Sequence, residues 1–386
     1  MRRKQFFWLC MVFLTFIVFV QKASAIEDPL KLPNNKIGIH ILFPEELRDS
    51  AKLVNSNNGD WGYVVIPIQA GDRDLLKWQR FMTEAKALHV IPIIRLATEG
   101  DYFNTKAWRT PKETDVLDFA NFLNSLDWPV INRYVIIFNE VNRADEWGTQ
   151  PDPKAYARLL SYAVTVFKSK SQDFYILSAG LDNAADNISA ISINEYDFLR
   201  QMNQEVPGIF FQIDGVASHS YPNPGFSQPP SKTTSESITS FRYEKSLFSF
   251  LTTKDLPIFI TETGWSEDVL SEDTIPVYYS QAFSSVWTDK DIVVVAPFLL
   301  RAGSGPFKGF SFLKDDGSKT LQYQLFENLA KTKGTPTLGK SVLGETIVQP
   351  SNLPVKNFSG TTSPIENSII VPLPMKAFVK MVLKIE

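Results

Sequence analysis

Two glutamates each close an apolar run. One run is Tyr134-Val135-Ile136-Ile137-Phe138-Asn139-Glu140 and the other Ile258-Phe259-Ile260-Thr261-Glu262-Thr263-Gly264-Trp265. A carboxylate directly after four or five apolar residues is costly to desolvate unless partners meet it, so two of them facing one mouth suggest a working pair. Cleavage of a glycosidic bond needs such a pair: a carboxylic acid protonates the leaving oxygen, and a carboxylate stands on the other side of the sugar. The plainer reading pairs each Glu with a Lys or Arg at a rim.

The elements that must position this pair are regular. Eight apolar runs recur, at residues 37–43, 63–68, 90–96, 134–139, 174–179, 213–219, 257–261 and 292–299. Near-continuous apolarity without strict alternation is what a parallel strand covered on both faces requires. The segments between and after them read as helices, over 45–55, 72–88, 114–126, 153–168, 195–202, 241–251, 275–288 and 321–330, with Thr110-Pro111-Lys112-Glu113 as a helix entry capped by a hydroxyl. Eight strands alternating with eight helices is the count of an α/β (β/α)8 TIM barrel, with a doubly wound sheet as the alternative. In a barrel, function sits at the C-terminal ends of strands, where both glutamates fall.

With those motifs on those strands, residues 36–330 resemble the retaining glycoside hydrolases of clan A. That resemblance implies Glu140 on strand four as acid/base and Glu262 on strand seven as nucleophile. It implies Asn139 as the partner of the sugar 2-hydroxyl. In Ala217-Ser218-His219-Ser220-Tyr221-Pro222 it implies a His-x-Tyr at the end of strand six, His219 facing substrate and Tyr221 contacting the nucleophile. Arg95, closing Ile93-Ile94-Arg95, is placed to keep Glu262 ionised; many clan members carry that Arg on strand two, where this chain has Ile66-Pro67-Ile68. Aromatic candidates for stacking on sugar are Tyr102, Phe103, Trp108, Trp147, Tyr221 and Trp265, with Trp147 and Trp265 nearest the glutamates. Strand eight departs from the family: Val295-Ala296-Pro297-Phe298-Leu299-Leu300 lacks a Trp, leaving Phe298, Phe310 or Phe312 as substitutes. Catalysis by Glu140 further predicts a raised pKa for that carboxyl.

The ends read differently. Arg2, Arg3 and Lys4 precede an apolar run from Phe6 to Val20 ending in Ala23-Ser24-Ala25, a signal peptide expected to be cleaved after Ala25, with an uncleaved anchor as the alternative. Cleavage leaves 361 residues and moves the formal net charge from −3 to −7, which disfavours a nucleic-acid partner. The chain's one cysteine, Cys10, goes with the signal, so the exported protein has no disulfide and depends on a large core. Three histidines with no helical pairing offer little for zinc, and there is no Gly-rich phosphate loop; neither metal nor cofactor is expected. Residues 331–386 read as a Pro-rich linker and a short β-rich C-terminal extension with possible strands at 342–348 and 377–385. That extension either packs on the barrel or begins a further domain.

The sequence thus predicts a secreted or envelope-associated glycosidase with a carbohydrate substrate. Membrane or envelope association would run through the N-terminal segment or the tail. Two rival readings are a catalytically silent glycan-binding barrel and a structural protein whose functional part is the tail.

Overall fold

A computed structural model describes residues 26–98, 108–302 and 307–340. The signal segment with its cleavage site, Tyr102, Phe103 and the tail beyond residue 340 lie outside the described residues. Eight parallel strands run in sequence order around one sheet: β1 (Gly38–His40), β2 (Gly62–Gln69), β3 (Val90–Ala97), β4 (Arg133–Ile136), β5 (Phe174–Ser178), β6 (Gly215–His219), β7 (Ile258–Glu262) and β8 (Ile292–Val295). A bridge from Ile37 to Val295 brings the first and last strands together. This excludes the doubly wound sheet and makes the protein a (β/α)8 barrel.

The helices are α1 (Leu47–Val54), α2 (Leu75–Ala87), α3 (Glu113–Asn124), α4 (Pro153–Lys170), α5 (Glu195–Glu205), the short α6 (Ile209–Gln212), α7 (Ser240–Leu251), α8 (Thr274–Gln281) and α9 (Leu321–Asn328). Asp74 and Asp152 cap α2 and α4 by accepting from backbone N–H groups of their first turns. At α3 the expected hydroxyl cap does not form. The helix starts at Glu113, Asp115 accepts from the Lys112 N–H, and the Thr110 hydroxyl donates to the Trp147 carbonyl instead. Regular β8 pairing stops at Val295, short of the predicted end at Leu299; beyond it Phe298 N–H still donates to Thr263 O and Leu300 N–H to His40 O.

Strand alternation sorts side chains into two layers. Ile39, Val64, Ile94, Val135, Ile176, Val216 and Ile260 pack outward against helices. Tyr63, Ile93, Tyr134, Tyr175, Ala217, Phe259 and Val294 fill the barrel below the mouth, with ring centroids of Tyr134 and Tyr175 at 5.0 Å. The N-terminal base is covered by residues 26–34 and by 331–340. There Gly334 N–H donates to Asp60 O, Ile131 N–H to Thr337 O and Thr335 N–H to Pro33 O. Among the described residues no helix is long and apolar enough to cross a membrane.

Candidate active site

Simple alternation aims four polar side chains into the mouth. On β1, Ile39 and Ile41 face outward, so His40 faces in; on β3, Ile91 and Ile93 face in and Arg95 follows them; on and just beyond β6, Ala217, His219 and Tyr221 share the inward side. The two glutamates arrive by irregular backbone. On β7, Ile258 and Ile260 face outward and Glu262 would follow them. Ser218 however pairs with Ile260 while His219 pairs with Glu262, so Thr261 is an extra residue, and this bulge turns Glu262 to the same side as His219. After β4, Phe138 and Glu140 take left-handed φ of 67° and 35°. Such backbone costs roughly 1–2 kcal/mol per residue and clusters at functional sites. The Glu140 N–H donates to Gly180 O, which pins the turn.

The side chains converge on Glu262, which is 6% exposed. Arg95 Nη1 donates to Glu262 Oε1 at 2.8 Å and to Asn139 Oδ1 at 2.5 Å. The Tyr221 hydroxyl donates to Glu262 Oε2 at 3.1 Å. His40 Nε2 lies 3.6 Å from Glu262 Oε1, and burial holds this imidazole well below its ordinary pKa, hence neutral. Across the mouth His219 Nδ1 lies 3.0 Å from Glu140 Oε1 and 3.8 Å from Glu262 Oε2. Arg143 reaches Glu140 Oε2 at 3.3 Å while gripping Asp145 at 2.6 Å and Asp182 at 3.4 Å. One donor atom each from Glu140, His219 and Glu262 fall within 4.8 Å of one another. A cation could use that spacing, but the guanidinium groups of Arg95 and Arg143 already lie on these carboxylates, like-charged surroundings for a metal.

The protonation pattern corrects one expectation. Burial pushes the Glu140 carboxyl up, but the His219 hydrogen bond and the charges of Arg143, His219 and Arg95 outweigh it and hold Glu140 at about 2. His219 is lowered by burial and lifted further by Glu262 and Glu140, so it ends above the usual imidazole range. The Glu140–His219 pair therefore carries its proton on the imidazole, not on the carboxyl. Nearby Glu146 is pushed up to about 8 by burial and by the charges of Glu140 and Asp145.

Six of the eight predicted residues, Glu140, Glu262, Asn139, His219, Tyr221 and Arg95, share the mouth. The two tryptophans do not. Trp265 has no exposed surface; it packs on Tyr279 at 4.8 Å and donates Nε1–H to Gln228 O. Trp147 is buried edge-on against Tyr156, whose hydroxyl ties β4 to β5 by donating to Ile137 O and accepting from Ala179 N. Phe312 is likewise core, between Tyr279 and Phe326. The aromatic wall beside Glu262 is instead Tyr221, Phe226, Phe298 and Phe310, with Phe298 edge-on to His40 at 5.0 Å. As site residues, His40, Arg143 and Asp182 were missed. A single imidazole in the otherwise apolar run 37–43 was the available signal for His40.

By sequence the chain matches no protein-family model and no curated protein. By structure it is similar to a family 39 glycoside hydrolase from Bacteroides cellulosilyticus WH2, at TM-score 0.53 and 16% identity over 78% of this chain. This chain spans 64% of that enzyme's length. It is also similar to a GH5_18 protein from Streptomyces cattleya (TM-score 0.55, 11% identity, 77% of this chain and 80% of that one). A third neighbour is a fungal β-1,4-galactanase (TM-score 0.51, 15% identity, 77% of this chain and 100% of that one). The fold of this chain is the (β/α)8 barrel that these glycoside hydrolases share.

Proposed function

We propose that the chain is an exported retaining glycosidase that cleaves β-linked oligo- or polysaccharide. The observation that carries this reading is the facing of Glu140 and Glu262, with carboxylate oxygens within 4.8 Å of each other. Retaining enzymes hold their carboxyls about 5–5.5 Å apart, whereas inverting ones leave about 6.5–9.5 Å for a water. The β-linked disaccharide named with the Streptomyces cattleya protein, Manβ1-4GlcNAc, is in keeping with a β-linked substrate.

Glu262, with Arg95 and Tyr221 as donors, is the nucleophile. As the sugar enters and excludes water, the His219 proton moves from Nδ1 to Glu140 Oε1 across their 3.0 Å contact. Glu140 then gives this proton to the glycosidic oxygen as the C1–O bond breaks and Glu262 bonds to C1. A water next attacks C1, passes its proton to Glu140, and Glu262 leaves as carboxylate. Asn139, its Oδ1 held by Arg95, presents its amide to the 2-hydroxyl. Phe298 and Phe310 form the apolar wall for the ring. Purified residues 26–386 tested on aryl glycosides and polysaccharides, with NMR of the first-released anomer, decide the matter. Release of the retained anomer supports the reading, and inversion or no hydrolysis refutes it.

A further inference from the structure

Behind β6 stands a second pair of carboxyls that the reaction does not use. Glu195 opens α5, Glu244 lies in α7, and their exposures are 2% and 1%. They face the outward side of the strand whose inward side carries His219. Ser218 Oγ donates to Glu244 Oε1 at 2.6 Å and meets Ser220 Oγ at 2.9 Å; Ser240 Oγ donates to Ser220 Oγ at 2.9 Å. Thr263, next to Glu262, donates Oγ1–H to Ser220 O at 2.7 Å.

The two carboxyls are within hydrogen-bond reach of each other, and Oε2 of each is buried without another donor. Ionised carboxylates only accept, so this contact is a hydrogen bond only when one of them holds a proton. The other titratable groups facing the pair are Asp182 from the β5–α5 loop, His219 across β6 and Tyr196 on α5, which in turn faces Tyr243 on α7 and Glu236 before it. None of these is Lys or Arg, and the one cation among them, the His219 imidazolium, stands across β6 and is shared with Glu140 and Glu262, so a proton does the remaining neutralising. Burial pushes both carboxyls up, Glu244 to about 7 and Glu195 well above the carboxylate range.

We propose that Glu195 and Glu244 share one proton and brace β6 through Ser218 and Ser220, holding His219 and Tyr221 against Glu140 and Glu262; Glu244 is thereby a positioning residue. The positioning role rests on the site proposed above, whereas the shared proton does not, and the two are tested apart.

The proton is tested by melting temperature against pH. The folded pair keeps protons that free carboxyls release near about pH 4.3, so stability falls as pH rises from there through about 7, where Glu244 ionises, and on through the higher value of Glu195, where the shared proton leaves. Glu195→Gln leaves a neutral amide donor for Glu244, and its melting temperature should fall less steeply over that window. Glu46 and Glu146, also raised, are present in both proteins and cancel in the comparison. Parallel curves for wild type and Glu195→Gln overturn the shared proton.

The brace is tested by turnover. Glu244→Leu should lower kcat about tenfold with KM within about twofold, and Glu244→Gln should recover most of the loss, since its amide can accept from Ser218 and donate to Glu195. Ser218→Ala, which unlinks strand from brace while leaving both carboxyls, covers the case in which Glu244→Leu fails to fold. It should lower kcat in the same way and shift the His219 ring resonances, one of three imidazoles in the chain. Unmoved His219 resonances in Ser218→Ala, or wild-type kcat in it, overturn the positioning role.

Discussion

The Tyr221 hydroxyl donates to Glu262 Oε2 at 3.1 Å, while Arg95 occupies Oε1 of the same carboxylate at 2.8 Å. The proposed nucleophile is thus oriented from both oxygens. Tyr221→Phe keeps the ring packed on Phe226 at 5.1 Å and deletes one donor. Turnover should fall about 10- to 100-fold, the scale of one lost electrostatic donor, with the melting temperature within about 2 °C of wild type. Steady-state kinetics and calorimetry check both halves.

The proton location sets the pH profile. His219 lies above its ordinary pKa, so the proton that Glu140 would deliver as the proposed acid is present below that raised value and lost as pH rises through it. The alkaline limb of kcat/KM should therefore fall above about pH 6.5. His219→Asn removes the store, and the limb should move toward acid. A profile that His219→Asn leaves in place contradicts storage on the imidazole.

Gly180 makes room for that imidazole. A Cβ there would come 2.2 Å from His219 Cδ2, closer than any real contact, so Gly180→Ala must displace the ring. Misplacement by about 1 Å can cost about 100-fold. Activity on natural substrates should drop on that scale, and less on substrates whose leaving group needs no proton. Equal losses on both classes would place the damage elsewhere.

Trp265 is core, not sugar platform. Trp265→Ala should cost about 3–5 kcal/mol of stability by opening a cavity among Tyr278, Tyr279 and Trp287, and leave KM of the folded fraction within about twofold. Denaturant melts with parallel kinetics test it. A raised KM at unchanged stability would restore Trp265 to the binding surface.

Much of this was legible in the residues. The eight apolar runs lie on the eight strands, and alternation alone puts Arg95, His219 and Tyr221 on the inward side. Alternation fails for the glutamates: Glu262 reaches the mouth because of the extra residue at Thr261, and Glu140 through the left-handed backbone at Phe138 and Glu140. Their motifs located them where periodicity would have turned Glu262 outward. The tryptophans were misread because nearness in sequence to a catalytic residue says little about direction. Trp265 leaves the mouth three residues after Glu262 and joins the aromatic core under α8. The low pKa of Glu140 was out of reach, since beside the local Arg143 it depends on His219 and Arg95 arriving from β6 and β3.

Azide separates the roles of the two glutamates most directly. Glu140→Ala should still form the glycosyl-enzyme from a dinitrophenyl glycoside and then stall, because that leaving group needs no proton while the return step needs a base. Azide added to this variant should release the glycosyl azide of retained configuration. In Glu262→Ala, azide fits only the space left by the nucleophile and should attack the substrate directly, giving the inverted azide. The same anomer from both variants, or full activity of either on a natural substrate, would contradict the assignment of Glu140 as acid/base and Glu262 as nucleophile.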